Sequence, residues 1–110
     1  MLARTELDEE GRILHAAADL LEISKWYRGG DEDLHYCYEG ICLFIAIWDA
    51  KIEGGTKCIV KDRAADRVMK YLGFSNRSQG TAWNDAPDRT KEQVVEALRS
   101  AAYFMERVKE

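Results

Sequence analysis

Eight consecutive apolar residues, Ile41-Cys42-Leu43-Phe44-Ile45-Ala46-Ile47-Trp48, constrain this chain more than any other stretch of it. A segment apolar on every side has to be enclosed by the rest of the polypeptide. It is also far too short to cross a bilayer, which needs about 20 residues. Both a central helix and a buried strand meet that requirement. The strand alternative draws on Glu53-Gly54-Gly55-Thr56, a turn signal that would pair the run with Lys57-Cys58-Ile59-Val60 as a hairpin. The helix is preferred because the run continues through Asp49, Ala50 and Lys51, and because Cys37, Ile41, Ile45 and Trp48 then share one stripe. A helix is expected over 38–50, with a short strand or hairpin near 52–60 left open.

The flanking segments supply what would wrap it. Ile13, Leu14, Ala17, Leu20 and Leu21 recur at helical spacing, with Arg12, Asp19 and Glu22 on the other side. Thr5 and Asp8 read as the cap of this helix and Gly29-Gly30 as its stop. A further helix is expected from Asp62, a good N-cap residue, with Ala65, Val68, Met69 and Leu72 inside and Gly73 ending it. Residues 75–80 read as an exposed polar loop. The last helix begins at Thr90 in a Thr-x-x-Gln capping box with Gln93. Val94, Leu98, Ala101, Met105 and Val108 form its stripe, widened by Val95 and Ala102. The expected fold is mainly α: one domain over 1–110, a compact bundle of about four helices around the central hydrophobic one.

Charge narrows the function. A net charge of −4 argues against general nucleic-acid binding, which needs a basic face to displace counterions. The balance is uneven, since 57–77 holds six basic residues and two acidic ones. A solvated helix face is the ordinary explanation and is weighed above an anion site. The acidic stretch Asp31, Glu32 and Asp33 makes self-association by opposite charge a further option, and a homo-oligomer is expected. The N-terminus turns acidic at Glu6, unlike a signal peptide, so a cytoplasmic protein without membrane contact is expected. Cys37, Cys42 and Cys58 have no zinc-like spacing with one another or with His15 and His35, which predicts reduced, mostly buried thiols and no metal. Gly54-Gly55 lacks the continuation of a phosphate-binding glycine loop. Asp85 paired with either histidine is too weak a pattern to assign catalysis, so no catalytic residue and no cofactor is expected.

One polar segment stands apart: Trp83-Asn84-Asp85-Ala86-Pro87-Asp88-Arg89-Thr90. Backbone N–H groups at a helix start attract anions, Arg89 has the fork for a phosphate or carboxylate, and Trp83 offers a face for stacking. The same residues also suit a plain turn, with Asn84 and Asp85 in Asx-turns, Pro87 fixing φ and Thr90 capping the helix. Local rules favour the turn. As a binding site, the candidate set is Trp26, Trp83, Asn84, Asp85, Arg89 and Thr90.

Ile13-Leu14-x-x-Ala17-Ala18-Asp19-Leu20, then Trp26, Cys37 near Glu39-Gly40, and above all Trp83-Asn84-Asp85 … Arg89-Thr90 resemble a family of short bacterial and bacteriophage proteins. That family carries a domain of unknown function marked by the Trp-Asn-Asp … Arg-Thr motif, and the likeness spans 12–102. Its usual small-residue run after the cysteine is replaced here by bulky 41–48. The resemblance implies a compact helical fold, a frequent viral home and no established activity. Two functions are therefore expected to compete. One is a non-catalytic, phage-encoded accessory or anti-defence protein that sequesters a nucleotide-like small molecule. The other is a protein–protein interaction module that binds and inhibits a host protein, through aromatics such as Tyr36, Tyr38, Tyr71, Phe74 and Tyr103.

Overall fold

A computed structural model describes residues 7–26 and 42–104. Among them are five helices and no strand: α1 (Glu9–Ile23), α2 (Leu43–Asp49), α3 (Cys58–Leu72), α4 (Arg77–Asn84) and α5 (Lys91–Tyr103). The chain is mainly helical, as its periodicity indicates, with one helix more than expected.

α1 starts where Asp8 accepts a hydrogen bond from the Gly11 N–H at 2.9 Å, with Glu9 and Glu10 at the positive end of the helix dipole. The cap is Asp8 itself; Thr5 lies outside the described residues. α1 ends at Ile23, where Ser24 leaves helical geometry, while Gly29 and Gly30 also fall outside the described residues. The end carries no basic residue of its own. Lys91 of α5 fills that role, donating from Nζ to the carbonyls of Glu22 (3.0 Å) and Ser24 (2.7 Å).

α2 is shorter than expected and turned differently. Leu43, Ala46 and Ile47 are buried, Phe44 and Ile45 are half-buried, and Trp48 is 45% exposed. The inner stripe is thus Leu43–Ala46–Ile47, one residue out of phase with the expected Ile45–Trp48 pairing; Cys37 and Ile41 lie outside the described residues. The hairpin alternative fails as well. Gly54 and Gly55 adopt positive φ and Gly55 N–H closes a turn onto the Ile52 carbonyl at 3.0 Å, but the chain then enters a helix. α3 begins at Cys58, four residues ahead of Asp62, so 58–60 is its first turn rather than a strand. Cys58 is exposed and Cys42 is half-buried, so these free thiols are more accessible than expected.

α3 ends as its sequence indicates. Gly73 takes the left-handed conformation at φ 85°, and the N–H groups of Gly73 and Phe74 return to the carbonyls of Lys70 and Met69. α4 occupies what reads as a polar loop. Its signal is a capping box: Asn76 accepts from the Gln79 N–H, and the Gln79 side chain accepts from the Asn76 N–H. α5 starts with the expected box of Thr90 and Gln93, and Val94, Val95, Leu98, Ala101 and Ala102 are buried on it. Met105 and Val108 lie outside the described residues.

The core is shared among the helices rather than built round one. Ile13, Leu14 and Leu21 of α1, Leu43 and Ile47 of α2, Val68 of α3 and Val94 and Leu98 of α5 are fully buried, each stabilising the fold by about 1.5–3 kcal/mol. α1 and α5 cross closely. A Cβ added at Gly11 would stand 2.8 Å from the Ala102 carbonyl oxygen. Arg67 of α3 clamps the same junction, donating to the Ala102 carbonyl at 3.2 Å and pairing with Asp8 and Glu10.

Candidate functional site

Asn84 is the most deeply buried polar side chain among the described residues, only 2% exposed at the C-terminal end of α4. Its Oδ1 accepts from the Trp26 indole Nε1–H at 3.0 Å and from the Leu43 backbone N–H at 3.3 Å, and its Nδ2 donates to Asp85 Oδ1 at 2.9 Å. Both partners of Oδ1 are obligate donors and the partner of Nδ2 is a carboxylate, so chemistry dictates the orientation of the amide. Leu43 opens α2, and its N–H is one of the orphan donors of a helix start; Cys42 gives it no side-chain cap. Asn84 therefore caps α2 from another helix and, through Trp26, ties the chain leaving α1 to the same point.

Arg89 closes the turn that follows. Its Nε donates to the Trp83 carbonyl at 2.8 Å, an NH1 hydrogen bond reaches Gln93 at 3.2 Å, and the guanidinium lies 4.2 Å from the centroid of the Trp83 ring. That is a cation–π contact on a ring that also packs against the core. The Arg89 N–H bonds to the Ala86 carbonyl at 3.0 Å across Pro87. Thr90 accepts from the Gln93 N–H at 3.1 Å as the N-cap of α5.

The structure thus gathers the six sequence candidates into one corner but in two sets. Trp26, Asn84 and Asp85 form one, and Trp83, Arg89 and Thr90 the other. Each of the six has a partner within the fold. His15, read as partly buried and hydrogen-bonded, is 8% exposed. Its Nδ1 lies 3.3 Å from Arg99 NH1 and its Nε2 lies 3.0 Å from Tyr103 Oη.

Open space lies between α1 and the end of α2. A cleft of about 720 Å³ is lined by Asp19 of α1, Trp48 and Asp49 of α2, and Lys51 and Lys61. It adjoins a second cleft, of about 570 Å³, that shares Asp19 and Lys51 with it. Lys61 Nζ donates to the Trp48 carbonyl, placing a cation at the negative end of α2. Lys51 and Asp49 are exposed. The Asp19 carboxylate is held by Arg99 at 3.0 Å. Sequence reasoning puts Trp48 in the core stripe and reads Asp49, Ala50 and Lys51 only as the continuation of the helix; the signal that an edge lies here is the pair of charged residues Asp49 and Lys51 directly after the indole. Among the described residues no group of three His, Cys, Asp or Glu side chains could hold a metal ion, and no helix is long and apolar enough to cross a membrane.

The described residues form a mainly helical fold with an internal amide clasp and an open charged cleft. Residues 6–104 match a family of unknown function, DUF6197, and the chain belongs to that family. No curated protein and no solved structure matches the chain.

Proposed function

We propose that this protein is a non-catalytic binder of a flat, anionic, nucleotide-like small molecule, and that the ligand sits in the Trp48 cleft. The observation that carries this reading is the juxtaposition in one cleft of about 720 Å³ of a 45%-exposed indole with the ammonium groups of Lys51 and Lys61. Small-molecule sites run from roughly 300 to 1,000 Å³, so a nucleotide fits. An indole face stacks on a base, and two lysines on one side offset a phosphate. The 83–90 turn supports the site from a distance by capping α2, whose far end carries Trp48. The cleft is open to solvent, and self-association that closed it would shield the ligand. The resemblance to phage proteins makes host conflict, through sequestration of a signal nucleotide, the setting in which we place it.

A thermal-shift panel of linear and cyclic nucleotides tests the reading. At a ligand concentration 100 times Kd, stabilisation of roughly 2.7 kcal/mol is expected, and Trp48→Ala should abolish it. A panel without any stabilising member, or undiminished binding by Trp48→Ala, would sink it.

A second reading, a module that binds and inhibits a host protein, is favoured by exposed apolar side chains outside the cleft: Ile23 (84%), Ile59 (51%) and Tyr71 (39%). Of the other aromatics proposed for such a patch, Phe74 and Tyr103 pack against the core, and Tyr36 and Tyr38 lie outside the described residues. Affinity purification from host lysate separates the two, since a stoichiometric protein partner favours the module.

A further inference from the structure

We infer that the ligand of the Trp48 cleft is a dinucleotide, its linking phosphate on Lys51 and its second nucleoside in the adjoining cleft beside Arg12 and Glu53. This rests on the proposal that the Trp48 cleft holds a nucleotide. The two clefts, of about 720 and 570 Å³, share Ala16, Asp19 and Lys51 and so form one trough. Either volume alone is in the range of one small-molecule site, so the trough has room for more than a mononucleotide. Its groups are sorted by position. Trp48 and Lys61 belong to the first cleft alone, Arg12, Ile52 and Glu53 to the second alone, and Lys51 to both.

The order of charge selects the ligand. Lys51 stands where the clefts meet, is exposed and makes no hydrogen bond or ion pair among the described residues, so a phosphate there meets an uncommitted cation. Beyond it Glu53 is exposed and likewise without such a partner. A carboxylate repels a second phosphate and accepts from the exocyclic amine of a base. Asp49 marks the Trp48 end in the same manner. A trough that favours an anion in the middle and amine donors at both ends matches a phosphate linking two nucleosides. A nucleoside triphosphate, charged at its tip, would bring that tip against Glu53. Arg12 supplies a face rather than a charge, since its charge already acts on Asp8. Its NH1 donates to the Leu7 carbonyl at 2.8 Å, which anchors the guanidinium. A guanidinium plane takes a stacked base much as an aromatic ring does, and half-buried Ile52 adds an apolar contact. Asp19 is already gripped by Arg99 at 3.0 Å, and no ligand contact is assigned to it.

The test is isothermal titration of the full chain with adenosine and guanosine monophosphates and with the dinucleoside monophosphates ApA and GpG. The wild type is expected to bind a dinucleotide roughly tenfold or more tightly than the matching mononucleotide, although the dinucleotide carries less charge. Arg12→Gln, in protein shown by circular dichroism to be folded, should bring that ratio close to one by weakening the dinucleotide alone. Glu53→Ala, at an exposed position, should lower the ratio several-fold and decides the matter if Arg12→Gln does not fold. A dinucleotide no tighter than its mononucleotide in the wild type, or full preference retained in either folded variant, overturns the inference and leaves the cleft reading standing. Equal weakening of both ligands by Arg12→Gln overturns it too, since that is the mark of a purely structural role. If no nucleotide of either size binds the wild type, the cleft reading fails and the inference falls with it.

Discussion

Two tryptophan-bearing corners of this molecule use similar side chains to opposite ends. Around Trp83, an indole, an amide, a carboxylate and a guanidinium meet one another: Asn84 bonds to Trp26, Leu43 and Asp85, and Arg89 lies over the Trp83 ring. Around Trp48, an indole, two carboxylates and two ammonium groups line open space. The Trp83 corner has the richer motif in sequence, while the Trp48 corner has the open space. What distinguishes them is where each polar atom finds its partner. A buried polar group has to be satisfied inside the protein, so a dense polar motif at a helix junction is first of all a way to satisfy it.

The sharpest way to break the comparison is at Asn84. Asn84→Ala removes the shared acceptor of the half-buried Trp26 indole N–H and the buried Leu43 N–H. Each such loss costs about 1–3 kcal/mol, so a total of about 3 kcal/mol is expected. For a domain of this size that lowers Tm by roughly 15 °C in a melting experiment. A loss under about 1 kcal/mol would mean that the amide is dispensable to the fold and free for a ligand role.

Arg89→Ala should cost about 1 kcal/mol, the sum of a hydrogen bond to the Trp83 carbonyl and a cation–π contact. It should leave nucleotide affinity unchanged. Were Arg89 a ligand residue the pattern would invert, with stability intact and binding lost. Denaturant unfolding and a binding isotherm on the same variant decide between the two corners.

The start of α1 is an intermediate case, engaged yet half-exposed. Burial tends to raise the Asp8 carboxyl, but hydrogen bonds from Arg67 and the Gly11 N–H, with the charges of Arg67 and Arg12, outweigh it and hold the group below its ordinary value of 3.8. A carboxyl depressed in the folded state contributes stability that is complete above its unfolded pKa, near 3.9, and lost as pH falls through the folded value. Asp8→Asn keeps a capping oxygen and removes the charge. It should cost roughly 0.5 kcal/mol at pH 7 and flatten the fall in stability below about pH 4, as followed by urea midpoints across pH. An unchanged acid limb would show that Arg67 gains nothing from the pair.

How legible all this was in the sequence depends on where each helix finds its cap. Caps supplied locally could be read: Thr90 with Gln93 was, and Asn76 with Gln79 is the same pattern, overlooked inside a stretch that resembled a loop. Caps supplied from elsewhere could not. Asn84 caps the start of α2 from 41 residues away, Lys91 caps the end of α1 from 67, and Lys61 sits on the last turn of α2 from 13. With its caps coming from other helices, α2 offered no boundary signal, and its all-round apolarity gave no phase. That is why Trp48 was assigned inward. The proposed site is hidden in the same way: its aromatic reads as core, while the 83–90 motif, which reads as a site, is hydrogen-bonded into the fold.

The smallest expected change in stability belongs to a residue on which the proposed function leans most. Lys51 is exposed and makes no hydrogen bond or ion pair among the described residues. Lys51→Gln should therefore shift stability by no more than about 0.5 kcal/mol. If Lys51 meets a phosphate, the lost charge-assisted hydrogen bond should weaken nucleotide binding by roughly tenfold, and more at low salt than at high, because an exposed cation acts over a screened distance. A nucleoside without phosphate should bind Lys51→Gln and wild type alike. Titrating both ligands at two salt concentrations separates a lysine that reads phosphate from one that merely keeps the surface charged. Equal loss for nucleotide and nucleoside would make Lys51 an ordinary solvated cation with no part in reading phosphate.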